Sequence, residues 1–481
     1  MGNRFLKLLA LLMALALLAT GLALAEDALE IDGAIETEQA GEAGGVKLDI
    51  DGAALVSDDP AANAAANAES VKINKKNFPA ADFRKYVKAH FDADGDGALS
   101  QAEIEQAEEV YLRTWDDVEK GVNGVNCSNL KGIEYLSNLC RLECVGCNLT
   151  SLDVSKNANL DALICAQNKL KKLDVSKNKA LRDLDCGGNQ LTELDLTKNK
   201  ALSQLWCADN KLKKLDLSKN TKLTIMDGWN NKLIALDVSK NVALEVLDCG
   251  GNRLTELDLT KNKALSELYC GPNKLKKLDI SNNTKLTTMY CRDNKLTTLD
   301  VSKNTRLKVL GVFRNQLKTL DVSRNTKLKE LMCFDNQLTR IDVSRNTRLE
   351  FLSCGDNPLK GLDIRKNTAL TGLSCVNGGL TKLDVSKNKK LESLYVRNNA
   401  LTSIDLSANK KLSRLVIPGN KIRSIDIGSC PGVQEALKLK KKTTKKTVAW
   451  YTEEEWGEDN HLMIDRSTTL TAGDKVLYKG K

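Results

Sequence analysis

The sequence predicts a mainly β repeat solenoid, and three observations predict it. One phrase, L-x-x-L-x-C-x-x-N-x-L-x-x-L-D-V-S-K-N-x-x, recurs fourteen times between Leu139 and Ile422 at a fixed step of 21 residues, without an insertion. A repeat of that length is too small to bury its own apolar face and must stack on its neighbours. Within the repeat, Leu163 and Cys165, and again Leu173 and Val175, alternate with polar residues. That is the period of extended chain, expected on both halves of the repeat. The third observation is a turn asparagine, Asn168 and its equivalents, present in twelve of fourteen repeats, with Cys147 and Gly378 as the exceptions. A buried amide there pairs with backbone groups freed by the bend and with the next repeat.

Taken in order, residues 1–25 read as a secretory signal: a basic start (Arg4, Lys7), an apolar run from Leu8 to Leu18, and the small-residue site Ala23-Leu24-Ala25. The run is too short for a stable membrane span, so the expectation is a secreted chain, soluble or held non-covalently at a cell surface. Residues 26–70 carry twelve acids against the single Lys47 and read as a disordered acidic leader.

Residues 71–117 hold the first stretch with chemistry in it. Asp92-Ala-Asp94-Gly-Asp96-Gly97-Ala98-Leu99-Ser100-Gln-Ala-Glu103 fits the calcium loop D-x-[DN]-x-[DN]-G-x5-E at every position. Asp92, Asp94 and Asp96 supply carboxylate oxygens, Ala98 its carbonyl, Ser100 the place where a water is held, and Glu103 a bidentate closure. Oxygen ligands select a hard cation, and calcium is the expected cofactor. Pro79 opens a segment with Phe83, Tyr86, Val87 and Phe91 at helical spacing, and Ile104, Ala107 and Tyr111 form a stripe after the loop, so the expectation is helix, loop, helix, with Leu99 packed on the first repeats. The stretch from Asn77 to Ile104 resembles the EF-hand-like module that precedes leucine-rich repeats in some secreted bacterial proteins.

Residues 118–138 contain a shortened repeat (Val122, Val125, Cys127) expected to cover the first open edge of the solenoid, which then occupies 139–428. Its signature L-x-x-L-x-[LC]-x-x-N-x-L resembles leucine-rich repeats of the bacterial, internalin-like branch. The resemblance implies a parallel sheet on the concave face and binding of proteins there, and it implies no catalysis. Cys430 stands where the array would have its next turn asparagine. Residues 429–447 read as a basic linker and 448–481 as a small C-terminal β cap, with strand-like runs at Leu462–Asp465 and Lys475–Tyr478.

Ten of the fourteen cysteines occupy the core-facing sixth position of the repeat. In-register neighbours point the same way, which disfavours the disulfide torsion, so they read as reduced packing thiols. Cys127, Cys140, Cys144 and Cys147 have a zinc alternative. Asp153 and its equivalents form a convex aspartate ladder, offset by serine hydroxyls, backbone N–H groups or the lysine or arginine that follows three residues later in most repeats; bound calcium is the alternative.

Counted from the first leucine of each repeat, positions 3, 5, 7 and 8 are expected to project into solvent from the concave sheet. All the aromatic residues of the array lie there: Trp206, Tyr269, Tyr290 and Tyr395 at position 5, Trp229, Phe313 and Phe334 at position 7, and Phe351 at position 3. The same positions hold eleven acids, among them Asp227, Asp248, Asp293 and Asp335, against five arginines and no lysine. An exposed aromatic and acidic stripe points to recognition of a protein, with a glycan as the alternative partner. Nucleic acid would need a basic stripe there. An enzyme is disfavoured, because only His90 and His461 exist, neither in the array, and no nucleophile has a base beside it.

Overall fold

The computed structural model describes residues 70–120, 127–435, 448–450, 462–465 and 467–479. The predicted signal (1–25), the acidic leader (26–69), Val122, Val125 and most of the basic linker lie outside the described residues. Fourteen short strands, one per repeat, run from β4 (Arg141–Cys144) through β5 (Ala162–Ile164) and onward in steps of 21 to β17 (Arg414–Val416). Each pairs in parallel and in register with the next, so a side chain at one position stands beside the same position of its neighbours. No ladder joins the first strand of this sheet to the last among the described residues, and the sheet is the open inner face of a solenoid.

Burial follows the alternation read from the sequence. In the repeat from Leu160, the side chains of Leu160, Leu163, Cys165, Leu170, Leu173 and Val175 all lie in the core. The convex half has neither helix nor strand, and it passes through turns at 176–177 and 179–180. Two asparagine columns hold the turns. Asn168 donates to the carbonyls of Cys144, Cys165 and Ala166 at 2.8, 3.0 and 3.1 Å, and its Oδ1 accepts the N–H of Leu149 at 2.9 Å. On the convex side Asn178 donates to the carbonyls of Val154 and Asn157 at 2.9 and 2.7 Å. Cys430 continues this second column and not the turn column, its Sγ facing the carbonyls of Leu406 and Asn409.

The N-terminal module is helix, loop, helix, with a second helix shorter than the expected stripe. The helix α1 (Ala81–Phe91) buries Phe83, Tyr86 and Val87 as its spacing requires, but α2 spans only Gln101–Gln106. The chain then becomes strand β3 (Glu109–Arg113), with Val110 and Leu112 buried and Tyr111 exposed. Ile104, Ala107 and Tyr111 fit a helical spacing, but the two-residue alternation of Val110 and Leu112 wins because β3 pairs in parallel with β4. This strand, and not the shortened repeat, covers the first edge of the solenoid sheet. Tyr86 accepts the N–H of Tyr111 at 3.0 Å, which ties α1 to β3; β3 pairs with β4 and Arg113 donates to the Gly146 carbonyl at 3.3 Å, so 71–117 and the array are packed as one unit. Leu99 does not meet the first repeats through its backbone: its strand β2 (Ala98–Leu99) pairs antiparallel with β1 (Val71–Lys72), which takes the place of a second loop.

At the other end, β18 (Ser424–Asp426) lies in the second half of the last repeat. The strand β20 (Leu462–Ile464) extends the concave sheet beyond β17, and β19 (Val448–Trp450) pairs with β20. The strands β21 (Thr469–Ala472) and β22 (Lys475–Tyr478) continue from β18. Both runs foreseen in the sequence are strands, and 448–450 and 469–472 are additions to them.

Candidate functional site

The concave face is built by the in-register sheet, which turns positions 3, 5, 7 and 8 into columns. The column at position 8 is set by backbone geometry. Asp209, Asn230, Asp293, Arg314, Asp335, Asp356, Asn377 and Asn398 have φ between 50° and 54°. Asparagine and aspartate tolerate that left-handed conformation best after glycine, so Asp293 and Asp335 are turn residues before they are recognition residues. Asp293 is also neutralised by Arg292 at 2.6 Å and by Arg314 at 3.6 Å.

The aromatic stripe is present, but it is tiled and not freely exposed. Tyr269, Phe313 and Phe351 are buried, whereas Trp206, Trp229, Tyr290, Phe334 and Tyr395 are half-buried. Tyr269 stacks on Tyr290 with ring centroids 5.8 Å apart, and Phe313 on Phe334 at 4.5 Å. Three rings lie flat over a glycine at the same position of the next repeat. A Cβ on Gly250 would stand 2.6 Å from the Trp229 ring and one on Gly372 2.7 Å from the Phe351 ring, while one on Gly311 would strike Tyr290. Glycine at these places is what lets the rings lie down, and pairing each aromatic with the residue 21 later would have shown it in the sequence. The Arg292 guanidinium carries the stripe across, 5.6 Å from the Trp229 ring centroid and 5.9 Å from that of Phe313.

The acids that remain at position 5 are the unusual ones. Asp185 is buried, accepts the Trp115 indole N–H at 2.9 Å and the Gly187 N–H at 3.1 Å, and has its carboxyl pushed up to about 6 by burial. Trp115 belongs to α3 (Trp115–Glu119), so the module reaches the third repeat along the concave face, a contact between residues 70 apart that no local spacing reveals. Asp227 and Asp248 are direct neighbours on adjacent strands. Burial pushes both carboxyls up, and the Asp227 charge adds to the effect on Asp248.

At the loop of the N-terminal module, Asp92, Asp94 and Asp96 can each place an oxygen within 4.8 Å of the others, the only such group among the described residues. Gly95 and Gly97 take φ of 74° and 84°, which the tight turn needs. Glu103 is tied back to the loop, accepting the N–H of Ala93 at 2.7 Å and of Ser100 at 2.8 Å. Burial opposes its charge, but these bonds hold its carboxyl below the usual value. Ser100 caps α2 through its side chain, and Ala98 is buried in β2. The three aspartates therefore fit a hard cation, and Glu103 is tied to the same loop through the Ala93 N–H.

No disulfide joins any of the fourteen cysteines, and only Cys140 is not buried. Burial pushes up thiols of the column such as Cys165 and Cys186, and those of Cys291 and Cys333 to about 12. The Cys127, Cys140, Cys144 and Cys147 cluster does not converge on a metal-binding point. On the convex ladder each aspartate accepts the N–H two residues on, as Asp174 does from Ser176 at 2.9 Å. That bond and the serine hydroxyl hold its carboxyl below the usual range.

No protein-family model matches the chain, and no curated protein matches it. Among solved structures, the functional domain of InlJ from Listeria monocytogenes, described as including a cysteine ladder, is 37% identical with a TM-score of 0.71, the match covering 76% of this chain and 79% of that one. The internalin InlF of the same organism is 23% identical with a TM-score of 0.61 over 68% of this chain and 97% of its own, a likeness of fold. The leucine-rich effector YopM from Yersinia pestis is 25% identical with a TM-score of 0.53 over 67% and 89%. At 37% identity over more than two thirds of both chains, to a relative that also carries a cysteine ladder, the chain belongs to the internalin-like family of leucine-rich repeat proteins.

Proposed function

We propose that this chain is a secreted or surface-held protein-binding module that uses its concave face, with an accessory calcium site at Asp92, Asp94, Asp96, Ala98, Ser100 and Glu103. The observation that carries the reading is the tiled stripe. Trp229, Tyr290 and Phe351 lie over glycines on the outer side of the sheet, where no core needs them. Rings held flat in this way present contact area with little side-chain freedom left to lose on binding. The fold's relatives include internalins, which supports a binding role over catalysis.

The test uses the full chain as bait against envelope and host extracts, followed by affinity measurement on the recovered protein. Alanine at Trp229 and Tyr290 should each weaken binding by about 2 kcal/mol while folding is kept. Charge reversal at the convex residues Lys219 or Lys240 should do little. Untouched affinity in the ring variants, with loss in the convex ones, would move the binding surface to the other face. Preference for an oligosaccharide over any protein would favour the glycan alternative.

A further inference from the structure

We infer that Asp227 and Asp248 form a seat for one cationic side chain, an arginine or a lysine, of the protein that the concave face binds. The inference rests on the concave-face reading and adds the chemistry of the partner. The position 5 column runs Trp206, Asp227, Asp248, Tyr269 in direct register, so two carboxylates roughly 4.8 Å apart along the sheet are closed at both ends by aromatic rings. Trp229, lying over Gly250, bounds one side. Ile225 and Val246, at position 3 of the same strands, bound the other with aliphatic surface.

The carboxylates are short of partners. Asp227 accepts one N–H, from Trp229 at 3.0 Å, and Asp248 one, from Gly250 at 2.9 Å. Asp248 is only 3% exposed, yet no donor among the described residues reaches its other oxygen. Arg292, whose charge is felt at Asp248, is itself bound to Asp293 at 2.6 Å. Two adjacent like charges, Asp248 buried and Asp227 half-buried, with one backbone donor each are costly unless a proton or an outside cation joins them. The sheet does not require them either, because Ile164, Gly311 and Val416 fill position 5 elsewhere and can make no such bond.

A guanidinium or ammonium group satisfies everything the site offers. It donates to both free oxygens, its flanks meet the faces or edges of Trp206 and Tyr269, and its methylene stem lies on Ile225 and Val246. A calcium ion would need six or more oxygens, and two carboxylates between rings and aliphatic groups fall short of that.

The experiment titrates the full chain at pH 8 with a tri-arginine peptide and with its neutral citrulline counterpart, following tryptophan fluorescence and heat. The arginine peptide should bind at least tenfold tighter than the citrulline one. The double variant Asp227→Asn with Asp248→Asn should lose that preference while melting no lower than the wild type. Equal binding of the arginine peptide to wild type and double variant would overturn the seat, and so would equal binding of the two peptides to wild type. With the natural partner, loss of affinity in Trp229→Ala and Tyr290→Ala but none in the double aspartate variant would refute the seat and leave the concave-face reading standing. Unchanged affinity in all of them would refute both.

Discussion

The two asparagine columns look alike in the sequence, both buried and both repeated, yet the structure predicts unequal consequences for their loss. Asn294 of the turn column donates to the carbonyls of Cys270, Cys291 and Arg292 at 3.1, 3.1 and 3.2 Å and accepts the N–H of Leu275 at 2.9 Å. In Asn294→Ala the Cys270 and Cys291 carbonyls keep donors, from Asn273 at 3.0 Å and from Asn315 at 3.0 Å. The Leu275 N–H and the Arg292 carbonyl keep none, the latter because the residue one repeat back that would donate is Pro272. Leaving a buried polar group unpaired costs about 1–3 kcal/mol, so with two such groups the variant should lose about 2–6 kcal/mol. Asn283 of the convex column donates to the carbonyls of Leu259 and Asn262 at 3.1 and 2.8 Å. Both carbonyls retain backbone donors, and its own Oδ1 has no protein donor. Asn283→Ala therefore orphans nothing and should cost about 1 kcal/mol plus a small cavity. Urea unfolding compares the two variants, and amide hydrogen exchange at Leu275 locates the damage. Equal losses, or retained protection of the Leu275 amide in Asn294→Ala, would refute this accounting. Gly378 shows the rule operating in the native chain: where the turn asparagine is missing, the Leu359 N–H bonds to the Asn357 carbonyl at 2.9 Å and Lys360 takes a φ of 61°.

Three further outcomes are expected. Asp185, raised from 3.8 to about 6 by burial, holds its proton more tightly folded than unfolded; the stability this contributes is fully present below about pH 4 and is lost as pH rises through about 6, worth up to about 3 kcal/mol. Asp185→Asn should flatten that slope in denaturation curves taken between pH 4 and 8, and an unchanged slope would contradict it. Protein denatured without reductant and kept from air should titrate for most of its fourteen cysteines, and near-zero free thiol would sink the packing-thiol reading. Calorimetry on the full chain should find about one calcium ion, lost in Asp92→Ala or Glu103→Gln while the repeat array stays folded; unchanged heats in both variants would reject the site.

What the sequence made legible was whatever depends on residues near in the chain or one full period away in a fixed column. The 21-residue step, the buried leucines and the cysteine slot all follow from that, as do the strands at 462–464 and 475–478. The loop carboxylates were legible for the same reason, since their spacing is local. Two readings failed, each through a competing cause. Tyr111 fits a helix stripe with Ile104 and Ala107, but an open strand edge at β4 pairs with an alternating segment. Asp335 is surface charge as its position implies, and its positive φ adds a second reason for an aspartate there. The rings look exposed because exposure was judged within one repeat, while their cover comes from the next.

That last failure marks how this solenoid divides its work. Inside the sheet, substitutions are balanced within a repeat: where the leucine and cysteine slots hold Met226 and Gly228, the Met226 Cε lies 2.7 Å from where a Gly228 Cβ would be. The longer side chain thus fills the slot that the cysteine vacates. On the concave face they are balanced between repeats, with Trp229 answered by Gly250, Tyr290 by Gly311 and Phe351 by Gly372. An interior exchange must conserve volume locally because each turn is close-packed on both neighbours. A face exchange must instead conserve the height of a column, because a ring 21 residues away lies on it. The core can therefore drift repeat by repeat without moving the face, whereas the face changes only in pairs of adjacent repeats. A binding surface assembled in this way is read down its columns, and the carboxylates of Asp227 and Asp248, closed by Trp206 and Tyr269, are one such column.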